Sequence, residues 1–240
     1  TKAAREANYS LDRKSGNEAY IFLLNKLAEG GEKKITNKAA SDLYKNALKE
    51  NQVATRIAAL QILLKTDDKN RAKLIVKALN DPEREYRNAA LLYAEEYKDA
   101  DLSRAIAGKL KKADAETQMD IINWLGKNRI AASLEEIIPY VKSTDSEVSR
   151  SAIIAVARIG GDEAIACLAG LVASGEKNQL ENAACVLKSM EGDIATPLMN
   201  LFSKASTEGQ KTILQLIGSR KCDRYAKAVL ELAVNAAVSY

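Results

Sequence analysis

The chain has 240 residues, a formal net charge of +4, and a composition that is 47% hydrophobic but only 5% aromatic, with three prolines. This balance is typical of an Ala- and Leu-rich helical protein and not of a β-sandwich. No apolar run approaches the roughly 20 residues that cross a bilayer, and no charged-then-apolar leader begins the chain, so we expect a soluble protein.

The first residue is threonine and not methionine, which indicates a trimmed or processed chain. A signal peptide could have been removed before Thr1, so the compartment is left open between the cytoplasm, taken by default, and export.

The inventory of reactive residues argues against catalysis. Histidine is absent, and Cys167, Cys185 and Cys222 are widely spaced without a CxxC pair, so no metal or cofactor site is predicted. No nucleophile with its base and no phosphate-cradling loop is visible, so the sequence predicts a protein that is not an enzyme. Cys167 and Cys185 occupy apolar helix positions and are predicted to be buried. Cys222 lies in the polar turn SRKCDRY, whose cations would favour its thiolate.

The N-terminal region is predicted to contain the first helix pair. Residues 1–16 are polar and weakly periodic, and we expect them to form a loose helix covering one end of a stack. The first clear helix runs from Asn17 to about Ala28 and ends at Gly30-Gly31. Its partner is predicted over residues 37–49, with four residues facing inward: Leu43, Tyr44, Ala47 and Leu48.

A period of about 31 residues follows through the rest of the chain. In first helices an Arg-x-Ala pattern appears at Arg56/Ala58, Arg87/Ala89 and Arg150/Ala152. In second helices the apolar anchors are Leu79, Leu110, Val141, Leu171, Leu201 and Leu232. This spacing predicts pairs at roughly 51–80, 81–112, 115–142, 145–174, 176–204 and 207–240, hence seven hairpins with the N-terminal one.

The segment from Asp145 to Ser174 has the pattern of one complete unit. Asp145 is placed to cap a helix, and Gly160-Gly161 is placed to end it. Asp162 then begins a second helix, and the short connection makes the two helices antiparallel. With its Asp-initiated first helix, an Arg near the start, a Gly-Asp turn and a Leu-rich second helix, this unit resembles a HEAT repeat of the short bacterial type.

The resemblance spans most of the chain and implies an all-α fold. The expected architecture is a right-handed α-α superhelix, a HEAT-like solenoid of about seven antiparallel helix pairs, forming one domain over residues 1–240. Pro139 and Pro197 are expected in the first turn of second helices. The resemblance also implies that four charged residues form a hydrogen-bonded ladder between neighbouring units and no ligand site: Asp81, Arg87, Asp145 and Arg150.

Residues 115–142 fit the period least well, because Lys127–Ser133 makes a longer connection, which is either a plain insertion or a contact loop. Asp120 and Trp124 lie one helical turn apart there. They are the nearest approach to the aspartate and aromatic residues of HEAT-like enzymes that remove alkylated bases from DNA. The surrounding residues do not match that family, and a packed indole is predicted for Trp124.

Positive charge is concentrated in the first third of the chain. Residues 1–80 carry 16 Lys+Arg against 9 Asp+Glu, or +7, whereas residues 81–160 carry −2 and the remainder −1. Lys69, Lys73 and Lys77 are predicted to share one face of a second helix, the helix type that lines the concave surface in the resembling family. This face is either a candidate site for an acidic partner or an ordinary solvated surface.

The C-terminal units lose their polar side. The residue after each anchor is Asn80, Lys111 and Lys142 in earlier units, then Val172, Phe202 and Ala233. We expect these last three to contact a further domain of a longer chain or a second copy.

The sequence thus predicts a non-enzymatic HEAT-repeat scaffold that binds a protein or peptide partner on its concave surface, with Lys69, Lys73 and Lys77 as candidate partner-binding residues. The alternative is a HEAT-like DNA-binding protein or alkylbase DNA glycosylase.

Overall fold

The computed structural model describes residues 16–220 together with Tyr225, Lys227 and Val229. Within these residues every regular element is helical, as predicted from the composition. The α-helices are α1 (Gly16–Glu29), α2 (Lys33–Lys49), α3 (Val53–Thr66), α4 (Arg71–Ala78), α5 (Arg84–Ala94), α6 (Ala100–Ala107), α7 (Ala115–Lys127), α8 (Leu134–Ile137), α9 (Ser146–Ile159), α10 (Asp162–Ser174), α11 (Lys177–Leu187), α12 (Ala195–Leu201) and α13 (Thr207–Ser219). Short 3-10 segments follow or interrupt them at Leu110–Lys112, Ala131–Ser133, Ile138–Lys142 and Phe202–Lys204.

The chain divides into two compact units, Thr1–Thr117 and Gln118–Tyr240, with the boundary inside α7. In unit 1, helices α1, α2 and α3 pack together around a shared apolar core. Helix α3 then packs against α5, and α4 against α6, so first helices stack on first helices and second helices on second helices. A single array over residues 1–240 stays a prediction.

Unit 2 repeats this arrangement. Helix α9 packs against α10 and α11, while α10 packs against α12. Helix α13 contacts α10, α11 and α12 and supplies the first helix of the last pair. The second helix of that pair, which carries Leu232, lies outside the described residues.

Buried positions recur with the predicted period of 31 residues. The fully buried positions Ala59, Ala90, Ile121, Ala152 and Ala183 recur every 31 residues in first helices. Four predicted second-helix anchors are also buried: Leu79, Leu110, Val141 and Leu171. Leu201 is only half-buried, and Leu232 lies outside the described residues. The hydrophobic spacing therefore locates the repeats correctly.

The predicted Arg-x-Ala column was wrong by one residue at Arg150. Ala58 and Ala89 are only half-buried, whereas Ala152 is fully buried. The residue that matches Arg56 and Arg87 is Ser149, which is buried and donates its hydroxyl to the Val141 carbonyl over 2.7 Å. Two periods are 62 residues and not 63, so Arg150 lies on the exposed face.

The unit from Asp145 to Ser174 forms as predicted. The Asp145 carboxylate accepts hydrogen bonds from the backbone N–H groups of Glu147 and Val148, at 2.9 and 3.1 Å, and so caps α9. Gly160 and Gly161 have φ values of 76° and 87°, a left-handed conformation that L side chains rarely adopt, and they connect α9 to α10.

The middle unit is irregular, in agreement with its weak fit to the period. Its second helix is broken into α8 and two 3-10 segments, and Arg129 before it has a positive φ of 50°. Pro139 lies at the start of the segment Ile138–Lys142, after the first turn where it was predicted, whereas Pro197 does lie in the first turn of α12. Helices α7 and α9 approach closely, because a Cβ at Gly126 would lie 2.6 Å from Ala155 Cα.

The first pair differs from its prediction in the start of α2 and in the position of Leu48. Helix α1 matches the expected span, while α2 begins at Lys33, four residues earlier than predicted. Leu43 and Ala47 are buried as expected, but Leu48 is 51% exposed. Leu48 therefore belongs to the surface, not to the core.

Candidate functional site

A largely apolar concave surface lies in unit 1. A cleft of about 540 Å³ opens between the C-terminal halves of α2 and α4, with α3 beneath it and the start of α5 at one end. Leu60, Leu63, Leu74 and Ala78 form its apolar floor. Its rim consists of Ser41, Tyr44, Lys45, Leu48, Lys77 and Asn80.

One wall of the cleft is built on a buried ion pair. Arg56 of α3 is 2% exposed, and its guanidinium pairs with the carboxylate of Asp81, which is 12% exposed. The same guanidinium lies 4.3 Å from the ring centre of Tyr86 and 5.8 Å from that of Tyr44. These contacts fix both tyrosine rings at the cleft, since a desolvated cation over an aromatic face is attractive.

Burial keeps this wall neutral. Desolvation raises the pKa of Tyr86 far above its ordinary value, with the neighbouring Tyr44 as the second cause. The phenol therefore stays protonated, and the Arg56 charge is balanced by Asp81. Any net charge that a ligand meets at the cleft comes from the rim and not from the wall.

A second buried arginine continues the same arrangement. Arg87 donates hydrogen bonds to the carbonyl oxygens of Asp81 and Pro82, at 2.9 and 3.0 Å, and pairs with the Glu116 carboxylate. Each arginine thus ties its helix pair to the start of the next one. The ladder that the resemblance implied is present at Arg87 and Asp81, and it begins with Arg56, which the sequence analysis had not assigned to it.

The predicted ladder role was wrong for the two other residues, Asp145 and Arg150. Asp145 acts as the N-cap of α9. Arg150 is exposed and lines a polar cleft of about 480 Å³ in unit 2 with Lys142, Glu147 and Glu176. That cleft is lined by two cations and, with Glu181, by three carboxylates, so it presents no dominant charge.

The three predicted lysines are exposed and lie beside the apolar cleft or lead away from it. Lys77 is on its rim, and Lys73 lies one turn earlier on α4. Lys69 is not helical, because Asp67 accepts a hydrogen bond from the Asn70 backbone N–H at 3.2 Å and forms a turn before α4.

These lysines differ from several other cations of unit 1. Lys26, Lys33, Lys45 and Arg71 each have a carboxylate within ion-pair distance. In the part of the chain that the structure describes, no carboxylate lies within that distance of Lys69, Lys73 or Lys77. Their charges are therefore available to a ligand.

The three apolar residues predicted to contact a further domain or a second copy have different environments. Val172 is fully buried inside unit 2, so it belongs to the core and offers no outside contact. The reason is that α10 is covered by α12 and α13. Phe202 is half-buried in a 3-10 segment, and Ala233 lies outside the described residues.

The possible base-binding residues take structural positions. Trp124 is 4% exposed, which confirms the packed indole and leaves no free aromatic face. Asp120 is half-buried. Over the described residues, no group of three His, Cys, Asp or Glu side chains could hold a metal ion, and no helix is long and apolar enough to cross a membrane.

The cysteines fit their prediction only in part. Cys167 is half-buried, and burial raises the pKa of its thiol. Cys185 is exposed, contrary to expectation, because it lies on the outer face of α11. Cys222 lies outside the described residues.

Sequence reasoning missed Ser41, Leu48 and Tyr86 as cleft residues. One signal was present for Leu48: it lies one turn after Tyr44 and is flanked by Lys49, while Leu43 and Ala47 already fill the core face of α2. An apolar residue beyond the core face of an amphipathic helix indicates a contact surface.

Comparison with known proteins identifies the repeat. Residues 102–187 match the family described as HEAT repeats. The match covers less than half of the chain, and the helices themselves show an all-α helical repeat fold. A search of curated proteins finds no match.

Two solved structures are similar at low identity. One is a crystal structure of an engineered protein from the Northeast Structural Genomics Consortium, with 19% identity, a TM-score of 0.46, and coverage of 84% of this chain and 96% of that one. The other is a designed armadillo repeat protein in complex with the peptide (KR)4, with 15% identity, a TM-score of 0.39, and coverage of 89% and 96%. Both similarities are too low to carry any property of those proteins over to this chain.

Proposed function

We propose that this chain is a non-enzymatic binding scaffold that holds a protein or peptide segment in the unit 1 cleft, with Lys69, Lys73 and Lys77 as contacts. The observation that carries the proposal is the exposed apolar cleft between α2 and α4, where Leu48 is 51% exposed beside the ring of Tyr44. Exposed apolar surface in a concave site is a common mark of binding.

The cleft has the size and the rigidity that binding needs. Its volume of about 540 Å³ lies within the range of roughly 300–1,000 Å³ that is usual for ligand sites. Its wall is held by the Arg56–Asp81 pair and the two tyrosine rings. A preformed wall lowers the ordering cost of binding, which supports a binding role without a large conformational change.

The absence of histidine from the sequence supports a non-catalytic role, because histidine is the commonest general base and metal ligand. The rim offers lysines and a serine but no activated nucleophile. Distributed contacts on a repeat scaffold then account for these features better than a reaction centre does.

A peptide-display selection on the full chain tests the proposal, with Ser41→Trp as the counter-selection. Ser41 lies half-buried on the rim, so an indole there fills the cleft from its edge. Circular dichroism and thermal melting check that the variant keeps its fold. We expect clones that bind the natural chain and lose binding to Ser41→Trp; a selection in which every clone binds both proteins equally would refute the role of the cleft.

A further inference from the structure

We infer that the segment held in the unit 1 cleft is acidic and extended, with one aromatic or aliphatic side chain in the cleft and carboxylates at alternate positions along α4. This inference rests on the proposed function and names the chemistry of its partner. It follows from two neighbouring surfaces: the apolar floor formed by Leu63, Leu74 and Ala78, and the lysines Lys77 and Lys73 that lead away from it.

Charge complementarity selects an acidic partner. Lys45 and Lys77 are both on the rim, and the one carboxylate at the cleft, that of Asp81, is already paired with Arg56. Lys45 has Asp42 3.9 Å away on the same helix, whereas Lys77 and Lys73 have no such partner among the residues described. A carboxylate arriving there gains attraction without displacing an existing pair.

The spacing of the lysines selects an extended conformation. Lys73 and Lys77 are four residues apart on α4, which corresponds to about 6 Å along a helix that rises 1.5 Å per residue. Side chains on one face of an extended chain repeat at about 6.8 Å. Two carboxylates separated by one residue can therefore reach both lysines, while the turn carrying Lys69 provides a third contact further on.

The apolar floor favours a peptide over a nucleic acid. Leu60, Leu63, Leu74 and Ala78 offer no hydrogen bonds to a base edge or a phosphate, and the tyrosine rings are held by Arg56. An aromatic or leucine side chain gains free energy from such a surface by leaving water. Tighter binding of single-stranded DNA than of the peptide would contradict this preference.

The test uses the full chain and a labelled peptide of about twelve residues, long enough to span the cleft and α4 in an extended form. The peptide has one phenylalanine, with glutamates at the second and fourth positions after it and serine or glycine elsewhere. Three matched peptides replace the phenylalanine by alanine, both glutamates by glutamine, or both glutamates by lysine. Binding is measured by fluorescence anisotropy.

Two charge variants provide the matched comparison. The double variant Lys73→Glu/Lys77→Glu reverses the lysines on α4, and Lys188→Glu/Lys204→Glu makes the same change in net charge with exposed lysines of unit 2. We expect the first variant to bind the glutamate peptide about tenfold or more weakly, because two ion pairs become repulsions. The second variant should change the affinity for this peptide by less than about twofold. The difference in affinity between the two variants should become smaller as the salt concentration rises from about 0.1 M to 1 M, because the screening length falls from about 10 to 3 Å.

The outcomes separate this inference from the proposed function. If the glutamine or lysine peptide binds as tightly as the glutamate peptide and Ser41→Trp abolishes binding, the acidic partner is refuted while the cleft remains a binding site. Equal weakening by the two charge variants, no binding of the glutamate peptide, or tighter cleft-dependent binding of a single-stranded oligonucleotide each overturns the inference. A selection without any cleft-dependent clone refutes the proposed function itself.

Discussion

Replacing Asp81 by asparagine tests whether the buried ion pair stabilises unit 1. The Asp81 carboxylate accepts the Glu83 backbone N–H at 3.1 Å through Oδ1 and pairs with Arg56 through Oδ2. Asparagine retains the first interaction and the side-chain volume, and it removes the negative charge. Because Oδ1 still faces Glu83, the Nδ2 amide of asparagine faces the Arg56 guanidinium, and the substitution measures the loss of both the counter-ion and the acceptor of this buried cation.

The magnitude follows from how little of Arg56 is exposed. Breaking a buried pair by removing one partner typically costs about 3–5 kcal/mol, because the remaining charge stays desolvated. The contacts of the guanidinium with Tyr86 and Tyr44, at 4.3 and 5.8 Å, remain and offset part of this. We expect a loss of about 3 kcal/mol in the free energy of unfolding.

Urea denaturation followed by far-UV circular dichroism measures this loss, with Asp101→Asn as the control. Asp101 pairs with Arg104, but both are largely exposed, at 91% and 71%, so its removal should cost under about 1 kcal/mol. The fluorescence of Trp124, the only tryptophan and a residue of unit 2, shows whether one transition describes both signals. An Asp81→Asn loss no larger than that of the control would refute the reasoning.

Three further predictions concern the core, the thiols and the tyrosines. Leu110→Ala should destabilise by about 2–5 kcal/mol and Lys77→Ala by less than about 0.5 kcal/mol in urea denaturation, because Leu110 is buried and Lys77 is exposed; equal small losses would show that the 31-residue column is out of register. Alkylation at neutral pH, followed by peptide mass spectrometry, should modify exposed Cys185 faster than Cys167, whose pKa is raised by burial; comparable rates would contradict the described burial. Burial also raises the pKa of Tyr86, so the folded state keeps a proton that the unfolded chain releases above about pH 10, and the associated stability is lost as pH rises further. Tyr86→Phe should therefore make alkaline unfolding, followed by tyrosinate absorbance, less steep with pH, whereas an unchanged profile would show that Tyr86 ionises normally.

The repeat could be predicted from the sequence because burial in a stacked array follows one period. Anchors such as Leu110 and Val141 lie at positions that every unit must fill, so a single unit gives the register of its neighbours. The error at Arg150 has a simple cause. In each first helix, the position equivalent to Ser149 is next to the position equivalent to Arg150. An arginine two residues before an alanine can occupy either position, but only the position equivalent to Ser149 faces the next unit.

The cleft could not be predicted, because it depends on how far two second helices separate. Leu48 has the same chemistry as the buried Leu43, and the pattern of α2 alone suits either residue to the core. What exposes Leu48 is the open space beside α4, which has 8 residues where α2 has 17. The lysines were found from the sequence because charge is visible there, whereas a shared concave surface is not.

The two buried arginines also determine where this chain tolerates being cut. A fragment ending before Asp81 would retain Arg56 without its carboxylate, and one ending before Glu116 would do the same to Arg87. Each boundary between these repeats is thus chemically marked, although loops are normally the safest places to divide a protein. Shortened versions of unit 1 should therefore end beyond a carboxylate that completes a pair, or carry a neutral residue in place of the arginine.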